Sequence, residues 1–264
     1  MRRIAGAVAL SVLSVSASAQ ASEYKAPEKD WMLLVTPFVW AASLKGDVKL
    51  AGIKSHVDMP FSKIAGHVDS VFMGNVEFRW KKLGLMLDGF SVDTSQSERL
   101  LGNKAKVSIT QRGLLAGAYY RVWEQPLGGL NHFGEPRTLT LDPMVGVRWT
   151  RLKAGMDVPA FGVSVKKSVR WSDPMVGLRV SADMDERWQL MTQLSVGGFD
   201  GSHRRTLDAQ AYVGYRTYWF DQPTIIRAGY RILSQRFETD DFTGNKFRYD
   251  LDQKGPAIGV TVRF

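Results

Sequence analysis

The charged residues that could do chemistry fall on one face of several stretches in which apolar and polar residues alternate. Alternation with a period of two is typical of β-strands, so these charges are predicted to share one side of a sheet. The basic members are Arg79, Arg121, Arg148, Arg179, Arg216, Arg227, Arg231 and Arg263. The acidic members are Glu77, Asp88, Asp142, Asp173 and Asp208. Facing arginine and carboxylate groups can pair through strong hydrogen bonds, whereas unpaired arginines would line a surface that favours anions.

An eight-residue pattern occurs twice in the chain. It reads DPMVGVRW at 142–149 and DPMVGLRV at 173–180. In an antiparallel hairpin of the two copies, Asp142 would lie opposite Arg179. Arg148 would lie opposite Asp173, and methionine would face glycine in the two pairs between them. We therefore predict two carboxylate–guanidinium pairs, in which structural pairing of buried charges is favoured over a binding site.

Two prolines and two glycines interrupt the alternation. Pro143 and Pro174 lack a backbone donor, so they are expected at strand ends or at β-bulges. Gly89 and Gly113 stand where the apolar positions change face within a strand. Because a slip of one residue reverses the two faces, each glycine is predicted to mark a β-bulge.

The sequence contains few residues that could form a catalytic site. The chain has no cysteine, which excludes a thiol nucleophile and a thiolate metal site. Its four histidines show no metal-binding spacing, so no metal and no cofactor are predicted. The remaining candidates for a hydrolytic site are His203, Asp200, Asp240 and Asp241. A loop histidine beside acids is more often simply solvated, so we predict that the protein is not an enzyme and keep a hydrolase acting on protein or lipid as an alternative.

The first twenty residues predict export. Arg2 and Arg3 precede an apolar run at 4–15, and small residues at 17–19 offer a cleavage site after Ala19, with Ala21 as the alternative. This order is typical of a secretory signal peptide at 1–19. Residues 20–30 are polar and predict a flexible lead-in. Removal of two arginines would lower the net charge from +9 to +7.

The rest of the chain, residues 31–264, predicts an all-β fold. No window after the signal holds eighteen consecutive apolar residues, which excludes a helical membrane span. Compact turns alternate with longer loops, as in antiparallel up-and-down transmembrane β-barrels, and an even strand number closes such a barrel. Ten strands are favoured; eight is an alternative, and twelve is another if 46–59 and 158–168 enter the wall. The predicted strands are 32–43, 68–80, 83–94, 105–122, 138–152, 172–184, 187–199, 204–219, 224–236 and 246–264.

All eight tryptophans lie near the ends of the predicted strands. Five fall at the end predicted to face the periplasm: Trp31, Trp80, Trp123, Trp188 and Trp219. Three fall at the other end: Trp40, Trp149 and Trp171. Indole rings prefer the headgroup level of a bilayer, so we predict two belts of interface aromatics.

Two features resemble known outer-membrane proteins. The chain ends on a strand that closes with Phe264, and this resembles the last strand of bacterial outer-membrane β-barrels, which the barrel-assembly machinery reads. The DP-x-x-G-x-R pattern and the stretch TPFVWAASLKGDV at 36–48 resemble a family of uncharacterised, small, porin-like proteobacterial outer-membrane β-barrels. The resemblance covers most of 31–264 and implies the fold and the cell outer membrane, but no activity.

The sequence therefore predicts a non-enzymatic integral outer-membrane barrel, which serves as a structural or surface element or as a narrow pore with an arginine-rich lumen. A small passive channel that favours anions and a hydrolase at the barrel rim are the alternatives. Expected partners are outer-membrane lipid, the assembly machinery and lipopolysaccharide, which the outward lysines Lys153, Lys166 and Lys167 could meet. No nucleic acid partner is expected, and the protein is predicted to be a monomer.

Overall fold

A computed structural model of the protein describes residues 30–50, 53–100, 103–158, 163–200, 203–240 and 246–264. The predicted signal peptide at 1–19 and nearly all of the lead-in lie outside these residues. Along the chain the elements are β1 (Trp31–Trp40), β2 (Ser43–Leu50), β3 (Ile53–Met59), α1 (Phe61–Ala65), β4 (Val68–Trp80), β5 (Leu83–Leu100), β6 (Asn103–Tyr120), β7 (Trp123–Leu130), β8 (Pro136–Val158), β9 (Val163–Asp183), β10 (Trp188–Gly197), β11 (Arg204–Trp219), β12 (Gln222–Asp240) and β13 (Lys246–Arg263). No helix in the described part of the chain is long and apolar enough to cross a membrane.

Ten of these strands form a closed antiparallel barrel. Their order around the wall is β1, β4, β5, β6, β8, β9, β10, β11, β12 and β13, and β13 pairs with β1 to complete the ring. The closing register runs from Leu34 opposite Arg263 to Trp40 opposite Ala257. The predicted fold class and the count of ten are confirmed. Each predicted strand corresponds to one wall strand, although β5, β8, β9 and β12 extend several residues beyond their predicted bounds.

The three additional strands extend the sheet at its two ends. We call the end at which Trp31 and Arg263 lie the termini end and the opposite one the loop end. At the loop end β2 continues the pairing of β1 along β13, from Ser43 opposite Lys254, and β3 pairs with β2. At the termini end β7 pairs with β8. The segment 46–59 therefore lengthens the sheet without raising the strand count, and 158–168 falls at the tips of β8 and β9, with 159–162 outside the described residues.

The barrel carries polar groups inside and apolar groups outside. Buried charged side chains are Glu77, Asp88, Asp142, Arg148, Asp173, Arg179, Asp208, Arg216 and Arg231. Exposed apolar side chains surround the wall and include Val39, Phe72, Val76, Phe78, Leu85, Leu87, Leu114, Val145, Val176, Leu178, Leu194, Val196, Val213, Ile226, Tyr230 and Ile258. A water-soluble monomer rarely exposes so continuous an apolar surface, whereas lipid solvates it well.

The interior changes character along the barrel axis. Toward the termini end it contains the buried charges together with an apolar cluster of Met86, Leu115, Tyr119, Met144 and Met175, and we call this part the charged half. Toward the loop end it is filled by aromatic and aliphatic side chains, which we call the apolar half. Two clusters form the apolar half: Trp171, Phe237, Phe247, Tyr249 and Leu251, and then Trp40, Phe90, Leu233 and Ala257.

The β-bulges predicted at two glycines are wrong. The register of β5 runs without a shift through Gly89, and Phe90 lies opposite Gly113 in an unbroken ladder with β6. The apolar residues change face because Phe90 and Val92 point into the apolar half, not because the strand slips. Gly113 makes room for this: a Cβ there would lie 2.5 Å from a ring carbon of Phe90.

The two prolines of the repeat also differ from expectation. Both lie within long strands, Pro143 opposite Leu178 in β8 and Pro174 opposite Val147 in β9, with no register shift between the strands. Each proline lies where the pairing of its strand with the other neighbouring strand ends. Pro143 lies between the part of β8 that pairs with β6 and the part that pairs with β7. Pro174 lies directly before the part of β9 that pairs with β10. A missing donor costs little at such a junction because no ladder bond is required there.

Candidate functional site

The repeated octapeptides form the hairpin that the sequence predicts. Asp142 lies opposite Arg179 and Arg148 lies opposite Asp173, with Met144 facing Gly177 and Gly146 facing Met175. All four charged side chains are buried inside the barrel. The repeat is thus one pattern paired with itself in the antiparallel sense.

The ion pairs, however, do not follow this register. Asp142 accepts from the Arg121 Nε at 3.2 Å, and Arg179 donates to Glu77 at 2.8 Å. Arg148 pairs with Asp208 across the barrel. The expectation of two carboxylate–guanidinium pairs within the hairpin is therefore wrong. Inward side chains of a closed barrel converge on its axis, so a long arginine reaches acceptors on distant strands.

Asp173 is hydrogen-bonded to a hydroxyl group instead of to the expected Arg148. Its Oδ2 accepts a hydrogen bond of 2.7 Å from the hydroxyl of Thr206 on β11. A hydroxyl donor satisfies one oxygen of a buried carboxylate without bringing a second charge into the interior.

Arg231 joins two carboxylates at the centre of the charged half. Its guanidinium donates to Asp88 on β5 at 2.7 Å and to Asp208 on β11 at 2.9 Å. Because Arg148 of β8 also pairs with Asp208, one network links β5 and β8 to the neighbouring strands β11 and β12. Arg231, Asp208 and Arg148 are fully buried, so the cost of removing these charges from water must be met by their mutual hydrogen bonds.

A second network surrounds Glu77. This carboxylate accepts from Arg79 at 2.6 Å, from Arg179 at 2.8 Å and from the Tyr119 hydroxyl at 2.5 Å. Arg179 also lies over the Tyr119 ring, 4.5 Å from its centroid, and donates to Gln193 at 3.0 Å. Side chains from four strands are thereby held across the lumen.

Ion pairs also close the termini end. Arg263 donates to Glu135 at 2.5 and 3.1 Å and lies 4.7 Å from the centre of the Phe133 ring. Arg216 pairs with Asp183. Burial alone would raise the pKa of Glu135, but the hydrogen bonds and charge of Arg263, with the Asn131 amide, hold it below its usual value.

The two additional carboxylates change the charge balance of the lumen. The predicted set had eight arginines and five acids, and Asp183 and Glu135 raise the acids to seven. The structure places the remaining predicted residues inside or at the termini end of the barrel, with Arg227 beside a cavity of about 50 Å³ that Glu77, Asp88 and Arg179 also line. Buried charged side chains surround this cavity in the charged half.

A larger cavity lies in the wall of the apolar half. It measures about 530 Å³ and lies between β1–β2 and β4–β5, beneath α1. Its lining is mainly apolar and includes Val39, Trp40, Leu44, Met59, Phe61, Ile64, Val71, Met73, Phe90, Val92 and Ile109, with Gln111 and Gln253 among the few polar groups. Volumes between about 300 and 1,000 Å³ are typical of sites for small molecules.

Two features of the sequence are consistent with this cavity, although neither predicts it. Pro37 stands within a predicted strand, where it must interrupt pairing with one neighbour. The change of face at Phe90 and Val92 showed that part of the interior is apolar. Neither signal reveals an opening until the neighbouring strand is known.

The tryptophans follow the predicted belts only in part. The five at the termini end are exposed on the outer wall, and so is Trp149. The expectation for the other two is wrong, because Trp40 is only 3% exposed and Trp171 only 6%. Both face the interior: Trp171 stacks on Phe237 at 4.7 Å, and Trp40 meets the edge of Phe90.

The candidate hydrolytic residues do not converge. Asp200 lies 3.8 Å from Arg204, and Asp240 pairs with Lys246 at 2.7 Å, so each carboxylate faces a basic group. His203 is exposed, and its described hydrogen bonds are made by its backbone. Asp241 lies outside the described residues. Within the described ranges, no cluster of three or more histidines and acids could hold a metal ion.

Three arginines form a row on the outer wall. Arg112 of β6 lies opposite Arg151 of β8, which in turn lies opposite Arg170 of β9. All three side chains are exposed, and Trp149 stands just below the row. Like charges directly opposite each other destabilise a sheet. Among the described residues, no acid lies within ion-pair distance of any of the three.

The chain matches no protein-family model and no curated protein sequence. Solved structures with a similar course of the chain include Ail of Yersinia pestis, in complex with the heparin analogue sucrose octasulfate (12% identity, 89% of this chain and 98% of that chain, TM-score 0.35). Neisserial surface protein A is similar at 10% identity, over 89% and 98% of the two chains, with a TM-score of 0.33. OprG of Pseudomonas aeruginosa is similar at 18% identity, over 89% and 95%, with a TM-score of 0.34. At these values the likeness carries no argument about activity.

Proposed function

We propose that the protein is a non-enzymatic, monomeric, integral β-barrel of the bacterial outer membrane, with a lumen that is closed to ions. It serves as a structural or surface element and not as a passive channel. The closed ring of strands, apolar outside and charged inside, is the observation that carries this proposal.

The outer wall supports the membrane location. Exposed apolar side chains occur on every side of the ring, and each of five strands at the termini end carries an exposed tryptophan. Trp31 and Trp80 lie directly opposite each other in the sheet, which places two indoles at one level. Lipid with its headgroup layer is the solvent that such a surface requires.

The charged half argues against a channel. Fully buried Arg148, Arg231 and Asp208 form ion pairs within the lumen. A cavity of about 50 Å³ lies beside Glu77, Asp88, Arg179 and Arg227. An open anion pore would need unpaired arginines along a continuous water path. In this structure the arginines are instead matched by nearly equal numbers of carboxylates.

Single-channel recording in planar bilayers tests the closed lumen. We expect the refolded protein to insert without conductance steps, whereas a channel would give reproducible steps. Steps whose anion preference disappears in Arg216→Ala and Arg231→Ala would contradict the proposal and favour the passive channel. Heat-dependent gel mobility of every preparation confirms that the barrel is folded. Hydrolysis of lipid or peptide that is lost in His203→Ala would instead favour the enzyme.

We further propose that lipopolysaccharide contacts the arginine row. Arg112, Arg151 and Arg170 present three unpaired cations just above an exposed tryptophan, which is the level of lipid phosphates. A phosphate that bridges the guanidinium groups would relieve their mutual repulsion.

Copurification tests this contact. The triple variant Arg112→Gln, Arg151→Gln, Arg170→Gln should retain less lipopolysaccharide in mild detergent than the wild type. The matched control replaces Lys81, Lys82 and Arg187 at the termini end by Gln and should retain the wild-type amount. Equal retention by both triple variants would show that the row does not bind lipid phosphate.

The last strand is proposed to carry the assembly signal. Phe264 is half-exposed, and its backbone exchanges two hydrogen bonds with Leu33 of β1, at 2.9 and 3.1 Å. The aromatic end of the chain therefore stands beside the seam where the barrel closes. Deletion of Phe264 should lower the amount of assembled protein in cells more than it lowers refolding in vitro, and equal losses would point to a purely structural role.

A further inference from the structure

The wall of the barrel is interrupted between β1 and β4 in the apolar half. Pairing between β1 and β4 runs from Trp31 opposite Trp80 to Pro37 opposite Gly74 and then ends. Beyond this point the chain leaves β1 for β2, which pairs with β3 on the side that faced β4. Among the described strands, none pairs with β4 between Val68 and Met73 on this side, so two sheet edges border a gap.

Side chains close the gap where backbone pairing is missing. The backbone N–H of Trp40 donates to the Met73 sulfur at 3.2 Å instead of to a carbonyl of β4. At the top, the backbone N–H of Phe61 donates to the Ser43 hydroxyl at 3.1 Å, which fixes the start of α1 over the gap. A thioether is a weak acceptor, so this seam is softer than a strand ladder.

The outward-facing residues at the two edges of the gap lie at the level of the lipid. Val39 on one edge and Phe72 on the other point outward and are 56% and 75% exposed. The next outward residue of β4 toward the loop end is Ser70, which donates to Asp93 at 2.7 Å. Because this polar pair marks the end of the apolar belt on these strands, the gap opens at the outer edge of the hydrocarbon layer.

The floor of the cavity suits an apolar body with one polar group. Trp40 and Phe90 meet edge to face at 6.0 Å and form an aromatic floor. The amides of Gln111 and Gln253 lie deeper, and both donate to the Tyr249 hydroxyl. The side-chain amides of Gln111 and Gln253 line the cavity, and a ligand oxygen could accept a hydrogen bond from either.

Below the floor the path ends. The Arg231 guanidinium lies 5.3 Å from the centre of the Trp40 ring, on the side of the charged half. A molecule that enters from the wall therefore meets the filled network and cannot continue through the lumen. The cavity is a site for binding and not a route across the membrane.

We propose that this cavity binds an apolar ligand that enters sideways from the outer leaflet: a hydrocarbon chain with one hydrogen-bonding oxygen near its inner end. This inference goes beyond the proposed function, which concerns the closed lumen and the membrane location. The same chemistry is offered by an acyl chain of a membrane lipid and by a free long-chain alcohol or acid.

Photo-crosslinking in lipid nanodiscs tests the site and separates the two sources. One preparation contains a phospholipid with a diazirine in its acyl chain, and the other contains ordinary lipid with a low fraction of a free diazirine-labelled long-chain alcohol. After irradiation, peptides are mapped by mass spectrometry. We expect the inward residues Met73, Phe90 and Val92 to be labelled by at least one probe, and the probe that labels them identifies the source.

Filling the cavity provides the matched comparison. Ala65→Trp, on the exposed face of α1, and Ala42→Phe, at the junction of β1 and β2, should each reduce labelling of the inward residues to the background of the charged half. Ala228→Phe adds a similar bulk to the outer wall of β12 and should leave this labelling unchanged. Two filling variants are used so that one remains if the other does not show the gel mobility of a folded barrel.

The outcomes are distinct. Loss of inward labelling in a filled variant and its retention in Ala228→Phe support the proposal. Absence of inward labelling with both probes, or labelling that persists when the cavity is filled, would overturn it. Neither result depends on ion conductance, so the proposed closed lumen stands or fails separately.

Discussion

The charged half and the apolar half of the interior are built on the same strands but solve different physical problems. In the charged half the neighbouring wall strands are hydrogen-bonded, and a cavity of about 50 Å³ lies among the inward side chains. In the apolar half the ring is interrupted between β1 and β4, and a cavity of about 530 Å³ remains.

The difference follows from what each kind of side chain requires. A buried charge without a partner is very unfavourable, so most arginines and carboxylates of the charged half are packed in ion pairs. Apolar side chains lose only contact energy where space is left, and apolar cavities can persist without water. A gap in the wall is therefore tolerated only in the apolar half.

The largest expected effect comes from breaking the central charged network. Arg231→Met leaves Asp88 and Asp208 without their shared cation and should lower the free energy of unfolding by about 3–5 kcal/mol. Urea titration of the refolded protein in lipid vesicles measures this. The double variant with Asp88→Asn, which keeps Asp208 as the partner of Arg148, should recover part of the loss, and an unchanged midpoint in Arg231→Met would show that the network does not stabilise the charged half.

Truncation in the apolar half should come next. Trp171→Ala removes the ring that stacks on Phe237 and contacts Tyr249, and the expected cost is about 3 kcal/mol from lost burial and a residual cavity. Trp171→Phe should cost much less, since an aromatic ring remains. If exposed Trp149→Ala destabilises the protein equally in the same titration, burial of Trp171 is not the cause.

The border between the halves should tolerate added volume poorly. Gly113→Ala places a Cβ 2.5 Å from the Phe90 ring, which must shift. Overpacking of this kind costs about 1–3 kcal/mol. Phe90→Leu should relieve the strain in the double variant, and a double-mutant cycle of unfolding free energies shows whether the two changes are coupled. Additive effects would count against direct contact as the source of the strain.

The smallest effect is expected at the termini end and should depend on pH. Because the pKa of Glu135 is lowered in the folded protein, its ion pair with Arg263 stabilises the barrel above the pKa of about 4.3 expected for an unfolded glutamate. That contribution is lost as the pH falls through the folded value. Glu135→Gln should therefore lower the melting temperature at pH 7 and lower it less near pH 3. A difference that is the same at both pH values would exclude this ion pair as its origin.

Local sequence patterns predicted much of this fold. The alternation of apolar and polar residues predicted the ten wall strands. For most residues it also predicted whether the side chain faces the lumen or the outside. The repeated octapeptide determined its own register, with Asp142 opposite Arg179, because pairing within one hairpin depends only on the two adjacent strands.

The contacts across the lumen and the remaining side-chain orientations depend on closure of the ring. Arg148 pairs with Asp208 of β11 and not with its neighbour Asp173, because only the closed barrel brings the two across the lumen. Trp40 and Trp171 point inward, since the apolar half needs large rings to fill it. The gap beside Pro37 likewise exists only because β2 turns away to pair with β3. Alternation along a strand is a local property that the amino-acid order determines, whereas partners across a lumen are distant in the chain and are set by the tertiary structure.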